Sequence, residues 1–192
     1  MIKIYLYTSS SIDKCFNLPA NIYEHINNYN ETQKSISTSN YQKLSIKLNE
    51  LGFDINNIYF SKYHKPLIEG MHLSLTHDKA YYGFALSLTQ DIGIDIENTK
   101  RFENHKFAKK ILNDSEYEKY LVSESKAHYL TSKWCEKEAL GKMQGTGLNN
   151  DVLKLTARYK KEITLNDEIL VVVSDSNIEN IELYIDDKKC EI

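Results

Sequence analysis

The sequence has little of what would place it outside the ordinary globular proteins. Its 192 residues include only 7 Gly and 2 Pro, too few for a collagen-like or low-complexity chain. No apolar run approaches the roughly 18 residues that a membrane-spanning helix needs. The apolar start over residues 1–8 is too short for the core of a signal peptide. We therefore expect neither a membrane span nor a secretion signal.

Cysteine and charge narrow the class further. The three cysteines, Cys15, Cys135 and Cys190, are odd in number and widely spaced, so they suggest neither a disulfide framework nor a zinc motif. The 24 basic and 27 acidic side chains leave a formal charge of −3, whereas a dedicated nucleic-acid-binding domain is normally basic. We expect a cytoplasmic protein that acts on neither nucleic acid nor membranes.

Hydrophobic periodicity predicts an α+β fold, because strands come first, then helices, then strands again. Steps of three and four residues predict helices over 20–28, 41–51, 107–112, 115–121 and 124–144. Residues 27–40 are predicted as a loop or a helix start. Apolar alternation or continuous apolar runs predict strands over 2–7, 57–61, 72–76, 81–88, 93–97, 152–159, 163–165, 169–173 and 181–185. The run at 81–88 indicates a central strand.

One of these strands carries two carboxylates on the same face. In the sequence Gly93-Ile94-Asp95-Ile96-Glu97, alternation points Asp95 and Glu97 to one side and the isoleucines to the other. Clustered carboxylate oxygens suit a hard cation such as Mg²⁺. An edge strand with a solvated acidic face is an equal alternative for this pentapeptide alone.

The long predicted helix brings charge onto its buried stripe. Ala127, Leu130 and Trp134 trace the stripe, and its next positions are Lys137 and Glu138, followed by Gly141 and Lys142. Burying such charges is unfavourable unless they are paired or bound to a metal. The alternative is a solvent-exposed helix end with an ordinary salt bridge between Glu138 and Lys142, which are four residues apart.

A third segment joins Lys65-Pro66 to residues 72–78 (HLSLTHD). A lysine before proline sits in extended backbone, and Thr76 and His77 fall where a strand is expected to end. A lone histidine is more often structural than functional. The chain contains no GxSxG, Walker or GxGxxG element.

Taken in order, these segments resemble the 4′-phosphopantetheinyl transferases, specifically the two-half class that activates surfactin-type synthetases. The glycine–aspartate–glutamate signature of that family is matched by Gly93, Asp95 and Glu97. Its W-[SC]-x-K-E-[AS]-x-x-K signature is matched by Trp134, Cys135, Lys137, Glu138, Ala139 and Lys142. Weaker matches are Tyr63–Pro66 (YHKP), Leu73–His77 (LSLTH) and Gln144–Leu148 (QGTGL).

The resemblance implies two pseudo-symmetric halves, 1–98 and 99–192, each a small antiparallel sheet packed with helices, with the active site between them. It implies transfer of the phosphopantetheine arm from coenzyme A to a serine of an acyl or peptidyl carrier protein, releasing adenosine 3′,5′-bisphosphate. Asp95, Glu97 and Glu138 would bind Mg²⁺, with Mn²⁺ as an alternative. Glu138 and Lys142 would be catalytic, as base and as ligand or acid for the leaving phosphate, and Lys65, Thr76 and His77 would bind coenzyme A. We expect a monomer.

Two departures from the family pattern are visible. Residues 27–32 carry none of the basic side chains that usually hold the 3′-phosphate of coenzyme A, and Lys34 is the nearest candidate. His64 stands where glycine is common. The alternatives to an active transferase are an inactive relative that binds coenzyme A or a carrier protein, and a small interaction domain whose acidic motifs are coincidental.

Overall fold

The computed structural model describes residues 1–11, 17–102 and 104–191. The described chain is a mixture of helices and strands, which confirms the predicted α+β class. In chain order the elements are β1 (Ile2–Thr8), α1 (Ala20–Ile26), α2 (Glu31–Glu50), β2 (Tyr59–Phe60), β3 (Pro66–Leu67), β4 (His72–His77), β5 (Tyr81–Ser87), β6 (Ile92–Asn98), α3 (His105–Ile111), α4 (Asp114–Val122), α5 (Lys126–Gln144), α6 (Asn150–Lys154), β7 (Tyr159–Leu165), β8 (Glu168–Ser174), β9 (Ile181–Ile185) and β10 (Lys188–Cys190).

The strands form a five-stranded sheet in the order β10-β9-β1-β5-β4, a three-stranded sheet in the order β6-β8-β7, and the short pair β2-β3. The strand β5 has partners on both sides, as the continuous apolar run predicts. The strand β9 pairs with β1 in parallel, so the end of the chain returns to the first sheet. This sheet therefore draws strands from both ends of the chain and is mixed, which differs from the expected purely antiparallel sheet in each half.

The two larger sheets share one apolar core, and each carries a helix on its other face. Ile4 and Leu6 of β1 meet Ile94 and Ile96 of β6 in this core, and all four side chains are fully buried. Burial of each such side chain stabilises the fold by about 1.5–3 kcal/mol. The helix α2 covers the first sheet and α5 covers the second. The result is a helix–sheet–sheet–helix arrangement in which β4 lies beside β6.

Close packing of α5 on β6 depends on Gly93. A Cβ atom at this position would lie 1.9 Å from the backbone oxygen of Ala139 in α5. Backbone cannot yield as a flexible side chain would, so a larger residue must push α5 away from β6.

We expect Gly93→Ala to lower the free energy of unfolding by at least about 3 kcal/mol, because the clash is with backbone. The control is Gly52→Ala, where φ is +83° but no atom lies within 4 Å of the added Cβ. Strain alone should lower stability there by about 1–2 kcal/mol. Urea denaturation measures both, and equal losses in the two variants would contradict this packing.

Helix ends follow the capping signals in the sequence. The Asn113 side chain accepts a hydrogen bond from the Glu116 amide at the start of α4. The same arrangement joins Asn30 to Gln33 at the start of α2, so a helix begins within residues 27–40, where a loop or a helix start is predicted. The helix predicted over 41–51 ends before Gly52, whose φ is positive.

Two predicted strands are wrong in part. Residues 150–154, which overlap the strand predicted over 152–159, form α6 because the Asn149 side chain accepts from the amides of Asp151 and Val152; the strand begins at Tyr159. The strand predicted over 57–61 shrinks to Tyr59–Phe60. A short 3₁₀ turn, capped by Asp54, takes residues 55–57.

Cys135 is a buried free thiol and Cys190 is a partly exposed one, while Cys15 lies outside the described residues. In the part of the chain that is described, no helix combines the length and apolar character needed to cross a membrane.

Candidate functional site

The acidic face of β6 is buried. Asp95 is 5% exposed and Glu97 is 7% exposed, on the strand face opposite the core that holds Ile94 and Ile96. β6 is an edge strand of its sheet, but its acidic face is not solvated, so that part of the alternative is wrong. A buried carboxylate needs compensating partners, and these partners define the site.

Lys142 of α5 is the first partner. Its Nζ lies 2.7 Å from Oδ1 of Asp95 and 3.0 Å from the carbonyl oxygen of Ile94. The alternative of a simple Glu138–Lys142 salt bridge is wrong, because the ion pair of Lys142 runs to Asp95. Two motifs separated by 47 positions thus meet in one ion pair at the α5–β6 contact.

Asp95 also has an oxygen without a partner. Thr76 of β4 donates its hydroxyl hydrogen to Oδ1 at 3.3 Å. The other oxygen, Oδ2, is buried and has no hydrogen-bond partner among the described residues. An orphaned buried oxygen of this kind is uncommon, and the Cys135 thiol lies near this carboxylate, whose charge adds to the rise that burial causes in the pKa of the thiol.

Glu97 lies two residues from Asp95 on β6. It pairs with Arg101, which follows shortly after the end of this strand. Burial raises the pKa of Glu97 to about 7, Arg101 opposes the rise, and the negative charge of Asp95 adds to it. A carboxyl group with a pKa near neutrality is typical of functional sites. Arg101 was not predicted from sequence, since no motif marked it.

Glu138 completes the acidic group. It is half-buried on α5, and burial together with the charge of Asp95 raises its pKa. Lys142 and Arg101 oppose that rise, so all these charges interact. Its neighbour Lys137 points elsewhere: that side chain is fully buried and pairs with Glu116 of α4.

Asp95, Glu97 and Glu138 carry carboxylate oxygens, the ligand type that a hard divalent cation prefers. The charge of Asp95 contributes to the raised pKa of both Glu97 and Glu138. A bound cation would lower these pKa values again. Across residues 1–11, 17–102 and 104–191, no three His, Cys, Asp or Glu side chains are already grouped closely enough to hold a metal. Instead, Lys142 and Arg101 neutralise Asp95 and Glu97 in this structure.

Asp95, Glu97 and Glu138, together with Lys142 and Arg101, are called the acidic centre below. A cleft of about 410 Å³ opens beside it. Lys65 forms part of its wall, and its Nζ donates to the carbonyl oxygen of Met143 at the end of α5 at 2.6 Å. Burial lowers the pKa of Lys65. The predicted residues that line this cleft are Lys65, His77 and Lys142, whereas Thr76 is 2% exposed and lies beneath it.

Two histidines that sequence reasoning did not assign also line the cleft, His25 and His64. Their ring centroids are 5.2 Å apart, and His25 stacks on Phe60 at 3.7 Å. Burial lowers the pKa of His25, and His64 adds to this. His64 has a φ of +66°, a conformation that favours glycine. In the sequence, its position in YHKP, where glycine is common, is the feature that points to it.

A second groove, of about 1340 Å³, also has His77 in its lining. Glu97 and Arg101 line it, together with Asp78 and Glu168. Side chains of the acidic cluster or of its ion pairs therefore reach both openings. The first contains Lys65 and Lys142, and the second contains carboxylates and Arg101.

Glu168 in the second groove makes a pH-dependent contribution to stability. It is 6% exposed, and its Oε2 has no hydrogen-bond partner within the described chain. Burial raises its pKa to about 7, and the neighbouring Asp78 carboxylate adds to this rise. An ordinary glutamate, with a pKa of 4.5, ionises in the unfolded chain well below that pH. Because the unfolded chain loses this proton at a lower pH than the folded protein does, stability falls as the pH rises from about 4.5 and levels off above about 7.

Glu168→Gln should remove this contribution, because an amide stays neutral throughout this pH range. We expect the variant to be more stable than the parent at pH 8.5, and the difference to shrink towards pH 5.5. Urea denaturation at the two pH values measures this. A stability difference that does not depend on pH would show that Glu168 is not the group that titrates.

The site is thus an acidic cluster paired to lysine and arginine beside a cleft in an α+β chain. Comparison with known proteins identifies it more closely. A family model described as the 4′-phosphopantetheinyl transferase superfamily matches residues 91–180. This range contains Asp95, Glu97, Glu138 and Lys142 and leaves Lys65, Thr76 and His77 outside.

Individual relatives agree. The chain is 30% identical over 110 residues to a holo-[acyl-carrier-protein] synthase of Aliivibrio salmonicida, covering 51% of this chain and 87% of that protein. It is 32% identical over the same length, with the same coverage, to one of Vibrio cholerae serotype O1. One of Buchnera aphidicola is 37% identical over 67 residues, 32% of this chain and 53% of that protein. The chain belongs to the 4′-phosphopantetheinyl transferase superfamily, and its predicted enzyme class, phosphopantetheinyl transferase, is confirmed.

Proposed function

We propose that this protein transfers the 4′-phosphopantetheine arm of coenzyme A to a serine of an acyl or peptidyl carrier protein. Its relatives are named for action on acyl carrier protein. The observation that carries the proposal is the Asp95–Lys142 ion pair, which lies beside the cleft with Glu97 and Glu138 close by.

The reaction joins the serine oxygen to the β-phosphorus of coenzyme A and breaks the pyrophosphate bond, so that adenosine 3′,5′-bisphosphate leaves. Glu138 accepts the serine proton, directly or through water; burial and the charge of Asp95 raise its pKa, which makes it a stronger base. Lys142 stabilises or protonates the leaving phosphate. Mg²⁺, or Mn²⁺, held by Asp95, Glu97 and Glu138, would supply charge neutralisation at the pyrophosphate.

The first cleft is the proposed binding site for coenzyme A. Lys65 and His77 line it and would contact the phosphates as donors, and Thr76 is retained as a predicted coenzyme A residue. Among the residues lining this cleft, His25 and His64 are further candidates for phosphate contacts, since residues 27–32 offer no basic side chain.

Within the superfamily we propose the surfactin-synthetase-activating class. This rests on the YHKP, LSLTH and QGTGL segments and on a chain that extends well beyond the region matched by the relatives. The two halves, 1–98 and 99–192, their pseudo-symmetry, the monomeric state and the cytoplasmic location remain predictions.

The test is a panel of apo-carriers from fatty-acid, polyketide and nonribosomal-peptide systems, incubated with coenzyme A and Mg²⁺. Release of adenosine 3′,5′-bisphosphate, followed by chromatography, is expected with at least one carrier and is expected to stop on chelation. Acceptance of several carrier types would support the surfactin-activating class. Binding of coenzyme A without release on any carrier would favour an inactive relative.

A further inference from the structure

The strand β6 lies beside β4 without joining its sheet. In the described chain, β6 forms its backbone ladder with β8, and β4 forms its ladder with β5. The edge of β6 that faces β4 therefore needs other partners for its amide and carbonyl groups. Asp95 sits in the middle of this edge.

Two hydroxyl groups supply those partners. Oγ of Ser74 accepts a hydrogen bond from the Ile94 amide at 3.1 Å, and Oγ1 of Thr76 accepts one from the Ile96 amide, also at 3.1 Å. Ser74 and Thr76 are two residues apart on β4, so both side chains leave the same face. Their spacing matches that of the two amides, which flank Asp95. Both hydroxyls belong to residues exposed by 3% or less.

The hydrogen of the Thr76 hydroxyl has a further partner. It is donated to Oδ1 of Asp95 at 3.3 Å, on the same oxygen that Lys142 contacts. The Thr76 hydroxyl thus binds both the backbone and the side chain around Asp95. Because Thr76 and Lys142 both contact Oδ1, the orientation of the Asp95 carboxylate is fixed, and with it the position of Oδ2.

We propose that Ser74 and Thr76 are positioning residues that clamp β6 and fix the direction of the Asp95 carboxylate for phosphoryl transfer. The proposal rests on the transferase function argued above. It assigns to Ser74 a role that the family signature did not suggest, and it gives Thr76 an action through Asp95 in addition to any contact with coenzyme A.

The main test compares Thr76→Val with Thr76→Ser. Valine keeps the shape but removes the hydroxyl, so the Ile96 amide and Oδ1 of Asp95 each lose a partner. A misplacement of about 1 Å at a reacting group can lower the rate by about 100-fold. We therefore expect Thr76→Val to lower kcat about 10- to 100-fold with the KM for coenzyme A within about twofold, and Thr76→Ser to restore most of the rate.

The matched control is Thr131→Val. Thr131 is a buried threonine of α5 whose hydroxyl donates to the carbonyl oxygen of Thr99 at 3.4 Å, a contact that involves none of the three carboxylates. We expect this variant to keep the parent kcat. Ser74→Ala should lower kcat in the same direction as Thr76→Val, and it serves as the second variant if Thr76→Val does not fold.

Amide hydrogen exchange gives a readout that does not need activity. Thr76→Val should speed exchange at Ile96, and Ser74→Ala should speed exchange at Ile94, each relative to Thr131→Val. Should the parent be inactive on every carrier, the proposed function fails, but this exchange pattern still decides whether the clamp exists. Unchanged exchange at both amides would overturn the clamp. A raised KM with unchanged kcat in Thr76→Val would overturn the positioning role and assign Thr76 to coenzyme A binding alone.

Discussion

Replacing Asp95 with asparagine is expected to lower the rate of carrier modification by about 10²- to 10³-fold, the usual range for loss of one transition-state stabilising group. The amide keeps the size of the side chain but removes the charge that Lys142 pairs with and weakens any ligand at Oδ2. The initial rate of adenosine 3′,5′-bisphosphate release measures the effect. Glu138→Gln should lower the rate in the same way, because it removes the proposed base.

Two controls separate chemistry from folding. Asp151→Asn changes an exposed aspartate in α6 and should leave the rate unchanged. Circular dichroism should show that Asp95→Asn keeps the fold. Full activity in either Asp95→Asn or Glu138→Gln would remove that carboxylate from the proposed mechanism.

Replacing Lys137 with methionine is expected to lower the free energy of unfolding by about 3 kcal/mol. The Lys137 ammonium is fully buried and contacts both carboxylate oxygens of Glu116 at 3.0 and 2.8 Å. Removing one partner of a buried ion pair typically costs about 3–5 kcal/mol, because the other charge stays buried. We expect a loss of stability near the lower end of this range, because Lys133, 3.1 Å from Glu116, still pairs with that carboxylate.

The matched control is Lys160→Met. Lys160 pairs with buried Glu136, but its own side chain is 33% exposed and Glu136 keeps Lys133 as a partner. We expect a loss of less than about 1 kcal/mol there. Urea denaturation measures both variants, and equal stability of Lys137→Met and the parent would show that the buried pair does not support the fold.

The same comparison tests which residues of the tryptophan-to-lysine motif on α5 serve the site and which serve the fold. Glu138 and Lys142 interact with Asp95, whereas Lys137 points to α4. Lys137→Met should therefore lose stability but, below its unfolding temperature, retain a kcat near that of the parent. Asp95→Asn should show the opposite pattern.

Local elements were predictable where one periodicity dominated. The apolar alternation of residues 92–98 and the long stripe ending at Gly145 determine β6 and α5 directly. The helix α6 was missed because Val152 and its apolar neighbours outweighed the Asn149 cap in a segment of five residues. The parallel pairing of β9 with β1 depends on contacts across the whole chain, which no local pattern encodes.

The candidate site was predictable as a set of residues but not as an arrangement. Adjacent Lys137 and Glu138 both fall at the stripe, so sequence alone could not say which one enters the structural ion pair. Arg101 and Ser74 take part through the geometry of the strand ends and the β4–β6 contact. Residues of these types are common on any surface, and only the packed sheets bring them to the acidic centre.

The central claim is that the Asp95–Lys142 centre carries out phosphopantetheinyl transfer. The most direct measurement is the intact mass of an apo-carrier protein after incubation with coenzyme A, Mg²⁺ and either the parent or Asp95→Asn. We predict that the parent adds one phosphopantetheine group to the carrier serine and that the variant adds almost none in the same time. An unchanged carrier mass with the parent, for acyl and peptidyl carriers alike, would contradict the claim.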